Sequence, residues 1–108
     1  MSGYNPKIVT ACFVNEGIPA PFYEFKFHAE RKWRFDLAWV LRPKYLLAIE
    51  VQGGIWSKGR HTQGAAMLRE WEKLNAAAVL GWRILYCQPD DLCRSAMVLT
   101  IKRAMNLI

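Results

Sequence analysis

The amino-acid sequence predicts an α/β domain in which helices flank a central, mixed four-stranded sheet. Three observations support this fold class. The periodicities along the chain follow the order αβββαβα, two strand segments are apolar on both faces, and a helical segment separates the third strand from the fourth. Strands that are apolar on both faces belong in the middle of a covered sheet. A helical crossover allows the fourth strand to lie parallel to the third or to another strand.

The first half of the chain predicts one helix and a three-stranded antiparallel meander. The helix is expected over residues 6–16, because Asn5 is typical of an N-cap, Pro6 of a first helical position and Gly17 of a helix end. Strands are expected at 22–28, 33–41 and 45–52. Tight charged turns join the three strands.

The second half predicts a long helix, a short strand and a last helix. The long helix spans about 62–80, and Met67, Trp71, Leu74 and Ala78 recur at helical spacing, which predicts a core stripe. The fourth strand covers 82–87. The Pro89–Asp91 segment predicts the start of a helix that runs to about residue 106. This helix is apolar on more than one face, which favours either deep packing or a homodimer interface.

Length and composition bound the possible functions. A chain of 108 residues, 53% apolar and 22% charged, is expected to form a single globular domain over 1–108. It has no apolar window that predicts a membrane span and no signal-peptide pattern. Three cysteines without metal-type spacing predict buried thiols in a reducing cytoplasm. The net charge of +6 points weakly toward a polyanionic partner.

Two carboxylates lie in strands that are otherwise apolar. On the predicted second strand Asp36 shares a face with Ala38, and on the third Glu50 shares a face with Gln52. Ionised carboxylates are costly in such places, and a hard divalent cation would remove that cost. The segment therefore predicts a metal site. In the alternative interpretation, Asp36 pairs with a nearby arginine, Arg31 or Arg34, and Glu50 lies at a frayed strand end.

A longer set of short motifs carries a family resemblance. These are Trp33-Arg34-Phe35-Asp36, Ala48-Ile49-Glu50-Val51-Gln52-Gly53-Gly54, Gly59-Arg60-His61, Glu72-Lys73-Leu74-Asn75 and Gly81-Trp82-Arg83. Over residues 17–92 the chain resembles the PD-(D/E)XK nuclease superfamily. It is most similar to small phage and bacterial endonuclease domains related to very-short-patch-repair and junction-resolving nucleases. The resemblance implies a restriction-endonuclease-like core, αβββαβ plus a C-terminal helix.

The resemblance also implies roles for individual residues. Asp36 and Glu50 would bind Mg²⁺, for which Mn²⁺ substitutes, with the backbone carbonyl of Val51 as a further ligand. Gln52 stands where the superfamily usually has a catalytic lysine. Lys73 on the following helix is the candidate replacement, and the alternative is a solvated lysine paired with Glu70 or Glu72. Glu24 is a candidate third acid, or else an exposed strand residue.

Basic residues around the predicted site are candidate nucleic-acid contacts. The loop residues Lys58, Arg60 and His61 would hold a phosphate, and His61 could also act as a general acid. Contacts to the nucleic-acid backbone are expected from Arg31, Lys32 and Arg34. The expected function is that of a Mg²⁺-dependent DNA endonuclease, selective for branched, nicked or junction DNA, of which a phage Holliday-junction resolvase is one example. The alternative is an inactive nucleic-acid-binding module that kept the fold. The expected location is the cytoplasm of a bacterial or phage-infected cell.

Overall fold

The computed structural model describes residues 3–42, 45–53 and 63–107, with nothing stated of the Gln63 side chain. The elements are α1 (Pro6–Asn15), β1 (Phe22–Lys26), β2 (Arg34–Arg42), β3 (Tyr45–Val51), α2 (Gln63–Val79), β4 (Trp82–Cys87), a 3-10 turn (Pro89–Asp91) and α3 (Ser95–Ala104). The predicted order αβββαβα is confirmed. The predicted start of the last helix is wrong: a 3-10 turn forms at Pro89, and α3 begins six residues later, at Ser95.

The four strands form one mixed sheet in the order β1-β2-β3-β4. The pairs β1–β2 and β2–β3 are antiparallel, as a meander requires, and β4 lies parallel to β3. The α/β fold class with a mixed four-stranded sheet is therefore confirmed. Because β3 pairs on both edges, its carboxyl end lies between β2 on one side and β4 on the other.

Each face of the sheet has its own apolar core. The larger core joins α1 and α3 to the sheet, and its fully buried members include Phe13, Trp39, Leu47, Ile49 and Ile101. The smaller core lies under α2 and contains Phe35, Ala38, Ala48, Ala77 and Trp82. Burial of a large apolar side chain stabilises a fold by about 1.5–3 kcal/mol, so the two cores fix β2 and β3 from both sides.

Regular alternation along β1 predicts that Tyr23, Phe25 and Phe27 share one face of the sheet, and this prediction is wrong at one point. Tyr23 pairs with Leu37 and both belong to the larger core, but Phe25 pairs with Phe35 and both belong to the smaller core. Between them Glu24 has a φ of +51°. A left-handed backbone costs a residue with a side chain about 1–2 kcal/mol. The reversal lets Phe35 stack on Phe27 with their ring centroids 4.1 Å apart.

The predicted core stripe of α2 is also wrong. Three of its four members are exposed: Met67, Trp71 and Ala78. The helix instead turns Ala77, which is fully buried, toward the sheet, together with Lys73 one turn earlier. Ala77 is small enough to let the helix pack closely on the sheet beside β4, and Lys73, one turn earlier, reaches the buried carboxylate of Glu50 on β3.

Helix α3 packs deeply through Val98, Ile101 and Ala104, all of which are buried. This agrees with deep packing as the interpretation of its apolar faces. The expectation of buried thiols is wrong for Cys93, which is exposed, whereas Cys12 and Cys87 are partly buried. None of the helices in the described ranges is long and apolar enough to cross a membrane.

Candidate metal centre where the second and third strands part

The paired ladder between β2 and β3 ends just before the two predicted acids. Its last pair is Leu37 with Ile49, so Asp36 and Glu50 occupy the next position on each strand. There the Oδ2 atom of Asp36 accepts a hydrogen bond from the backbone N–H of Val51 at 2.7 Å. This charge-assisted bond takes the place of a ladder bond. It keeps Asp36 beside β3 although the strands have stopped pairing.

Glu50 is the buried carboxylate of this centre. The residue is only 5% exposed. Its Oε1 atom accepts a hydrogen bond from Nζ of Lys73 at 2.8 Å, and its Oε2 atom is buried with no hydrogen-bond partner in the described structure. An unsatisfied buried acceptor costs about 1–3 kcal/mol, and more when it is charged. The Oε2 atom is therefore a ready ligand for a hard cation.

The arrangement differs from the alternative interpretation of these acids. Glu50 lies inside β3 and not at a frayed end. Arg31 donates a hydrogen bond to Glu72 at 2.8 Å, and its guanidinium lies 3.9 Å from the ring centre of Trp33. The Arg31 guanidinium thus contacts Glu72 and Trp33 and not Asp36, whose carboxylate accepts a hydrogen bond from the backbone of β3.

The pKa of Glu50 is raised from its usual 4.5 to about 7; burial is the largest cause, and the nearby negative charges of Asp36 and Glu70 add to the rise. The hydrogen bond and positive charge of Lys73 oppose the rise but do not overcome it. Burial dominates because a carboxylate loses far more hydration than one ammonium group restores. At neutral pH Glu50 is therefore close to half ionised, and a bound cation would favour the ionised form.

Glu70 is a member of this centre that the sequence reasoning assigned only as a possible surface partner of Lys73. It lies one turn before Lys73 on α2, and its Oε2 atom is buried without a hydrogen-bond partner among the described residues. The sequence signal was the Glu70–Lys73 spacing of three residues, which places both on one face of a helix. With Asp36 and Glu50, it makes the centre negatively charged when all three carboxyl groups are ionised.

Within the described ranges, no group of three or more His, Cys, Asp or Glu side chains converges to hold a metal ion. Asp36 and Glu50 offer two side-chain carboxylates beside the backbone of Val51, and Glu70 acts on Glu50 through its charge without being counted among the donors. Mg²⁺ is commonly bound by one or two carboxylates, with waters and substrate phosphate oxygens completing six-fold coordination. The residues present fit such an ion.

Gln52 and Tyr86 border the centre at the carboxyl ends of β3 and β4. Gln52 is exposed, and its backbone N–H donates to the carbonyl of Cys87 at 2.8 Å, extending the parallel pairing beyond β3. Tyr86 lies in register with Glu50 and is 52% exposed. Partial burial and the negative charges of Glu50 and Glu70 raise the pKa of Tyr86, whereas Lys73 lowers it. Tyr86 was not a sequence candidate, although its place in the alternation of β4 puts it on the Glu50 side.

The remaining residues predicted for the site are a candidate third acid and the basic nucleic-acid contacts. Glu24 is exposed on the strand opposite Asp36, and Lys32 and Arg34 are exposed near the start of β2. The predicted phosphate-binding residues of the loop, Lys58, Arg60 and His61, lie outside the described residues.

No family model, curated protein or solved structure matches the chain.

Proposed function

We propose that this chain is a divalent-metal-dependent DNA endonuclease that hydrolyses phosphodiester bonds, with a restriction-endonuclease-like core of the PD-(D/E)XK type. One observation carries the proposal. Glu50 is a buried carboxylate with an unsatisfied oxygen, it is bonded to Lys73, and it lies beside Asp36 where two central strands part. Buried acids with a raised pKa and a specific charged partner are typical of functional sites.

The proposed cofactor is Mg²⁺, with Mn²⁺ as a substitute. Asp36 and Glu50 would hold the ion through their side chains, and Val51 would add its backbone carbonyl. Such an ion, when bound, lowers the pKa of a water and stabilises negative charge on a phosphate. Glu24 is the candidate for a further acid on the neighbouring strand.

Lys73 would supply the positive charge that Gln52 lacks. Its Nζ atom lies 2.8 Å from Glu50, so it fixes the orientation of that carboxylate. From the same place it could stabilise negative charge on a phosphate bound between α2 and the sheet. Gln52 would orient a water through its amide group, and His61 would protonate the leaving group.

The proposed substrate is branched, nicked or junction DNA. The net charge of +6 favours a polyanion. The exposed side chain of Arg34 lies at the start of β2 and that of Lys32 two residues before it, both only a few residues from Asp36. Arg31, together with Lys58, Arg60 and His61, would complete the backbone contacts.

The test is a cleavage assay of the pure protein on linear, nicked, flap and four-way DNA with Mg²⁺, with Mn²⁺ and with EDTA. Cutting should require metal and should be lost in the Asp36→Ala, Glu50→Ala double variant. A Glu30→Ala, Asp90→Ala double variant removes the same charges from exposed positions and should cut normally. Metal-dependent cutting by the Asp36→Ala, Glu50→Ala protein would overturn the proposal.

A second candidate function is nucleic-acid binding without cleavage. The observation that favours it is Gln52 itself, a neutral side chain where the related nucleases usually have lysine. Calorimetric titration with Mn²⁺ separates the two functions. The enzyme should bind Mn²⁺ and lose that binding on Asp36→Ala, whereas an inactive module should bind DNA with the same affinity with or without the ion.

A further inference from the structure

A groove begins beside the candidate metal centre and runs along the carboxyl end of β4. Its volume is about 380 Å³, and it is lined by Gln52, Tyr86, Cys87, Gln88 and Asp91. The volume falls in the range of small-molecule sites. None of these residues has a role in the metal chemistry except Gln52, whose side chain is exposed here at the end of β3.

The lining of the groove suits an uncharged planar group. It offers the amides of Gln52 and Gln88 and the ring of Tyr86, and none of the five lining residues is cationic. Its one acid, Asp91, is paired with Nε of Arg94 at 3.0 Å. A phosphate would meet no cation from these residues and one carboxylate. An aromatic base would find a ring to stack on and amides that both donate and accept hydrogen bonds.

The groove adjoins the candidate metal centre through the paired ends of β3 and β4. Tyr86 is the register partner of Glu50 on the adjacent strand, and neighbouring strands lie about 4.8 Å apart. The backbone bond from Gln52 to Cys87 holds the two strand ends together at the groove. A nucleotide whose phosphate sits over Glu50 therefore has its own base, or that of its neighbour, within reach of the Tyr86 ring.

We propose that this groove binds an unpaired nucleobase next to the scissile phosphate, stacked on Tyr86 and hydrogen-bonded at its edge by Gln52 and Gln88. The inference rests on the proposed nuclease function and specifies its substrate. A base inside an intact duplex is stacked between its neighbours and cannot enter the groove. Bases at a flap, a branch point or a single-stranded end can enter without the cost of flipping.

The test is DNA binding measured by fluorescence anisotropy, with Ca²⁺ and again with EDTA. The probes are a short labelled oligothymidylate, a strand of the same length made of abasic deoxyribose phosphates, and a labelled flap duplex. Tyr86→Leu should weaken binding of the oligothymidylate by about 5-fold to 150-fold, the range for stacking on one ring. It should leave binding of the abasic strand unchanged. Tyr86→Phe keeps the ring and should retain most of the affinity.

The matched control is Phe22→Leu, which removes an exposed aromatic ring from β1 at the opposite edge of the sheet. It should bind both strands like the wild type, and thermal melts should show that every variant is folded. If Tyr86→Leu binds the oligothymidylate as tightly as wild type, or weakens both strands equally, the base site is refuted while the nuclease proposal stands. If the wild type binds neither strand and no flap duplex, the nuclease proposal itself fails.

Discussion

Protons and metal ions should compete for Glu50. Burial raises the pKa of this residue to about 7 in the metal-free protein. A carboxylate must lose its proton before it can bind a cation, so metal affinity should increase with pH. With a pKa of about 7, roughly 10% of Glu50 is ionised at pH 6 and roughly 90% at pH 8. The apparent affinity for Mn²⁺ should therefore rise about 10-fold over this range and level off above it.

Isothermal titration calorimetry provides the measurement. Titrations of Mn²⁺ at pH 6, 7 and 8 give the change in Kd, and buffers of different ionisation enthalpy give the number of protons released. Near pH 7 about half a proton should leave for each ion bound. Glu72→Gln serves as the control, because the Glu72 carboxylate lies on the same helix but is exposed and bonded to Arg31. It should leave both quantities unchanged.

Tight Mn²⁺ binding with the same Kd at pH 6 and pH 8, and with no proton release, would contradict competition between protons and metal ions at Glu50. That result would mean that Glu50 is already fully ionised at pH 6 or does not bind the ion. Glu50→Gln distinguishes these two explanations. It keeps the shape of the side chain and removes its charge, so loss of Mn²⁺ binding in this variant supports the first explanation and unchanged binding supports the second.

Three further predictions concern stability, measured by urea denaturation in EDTA. The pKa of Glu50 in the folded protein lies above its usual value of 4.5. Its contribution to the free energy of unfolding is therefore fully present below about pH 4.5 and is lost as the pH rises through about 7. Between about pH 4.5 and pH 7, the free energy of unfolding of the wild type should fall by up to about 3 kcal/mol relative to that of Glu50→Gln. Lys73→Met leaves the ionised Glu50 without its partner, so it should lower the free energy of unfolding by about 3 kcal/mol at pH 8 and by less at pH 5. The control, Lys32→Met at an exposed position, should change it by less than about 0.5 kcal/mol. Ala77→Leu should cost about 1–3 kcal/mol by overpacking, and the neighbouring, exposed Ala78→Leu should cost almost nothing.

The element order and the position of Asp36 and Glu50 on adjacent inner strands were predictable, because they depend on local patterns. The N-cap Asn5 accepts hydrogen bonds from Lys7 and Ile8, as its position before Pro6 indicates. The apolar character of β2 and β3 on both faces predicted inner strands. These signals are set by residues close together in the chain, and tertiary contacts did not override them.

The orientation of α2 was not predictable from periodicity, because periodicity assumes that the most apolar face is buried. Here Lys73 faces the sheet, where it meets Glu50, and Trp71 remains 53% exposed. The pairing depends on a carboxylate 23 residues away in the sequence. The reversal at Glu24 was hidden for a similar reason, since a positive φ is unusual for a residue with a side chain and has no sequence signal of its own.

The hydrogen bond from the amide of Val51 to Asp36 gives the centre a natural spectroscopic reporter. A short bond to a carboxylate moves an amide proton resonance well away from its usual position. An ion that binds to the Asp36 carboxylate, or a substitution that moves it, should shift the amide proton resonance of Val51. In a chain of 108 residues that signal can be resolved individually. The Val51 resonance would therefore report occupancy of the centre without any substrate present.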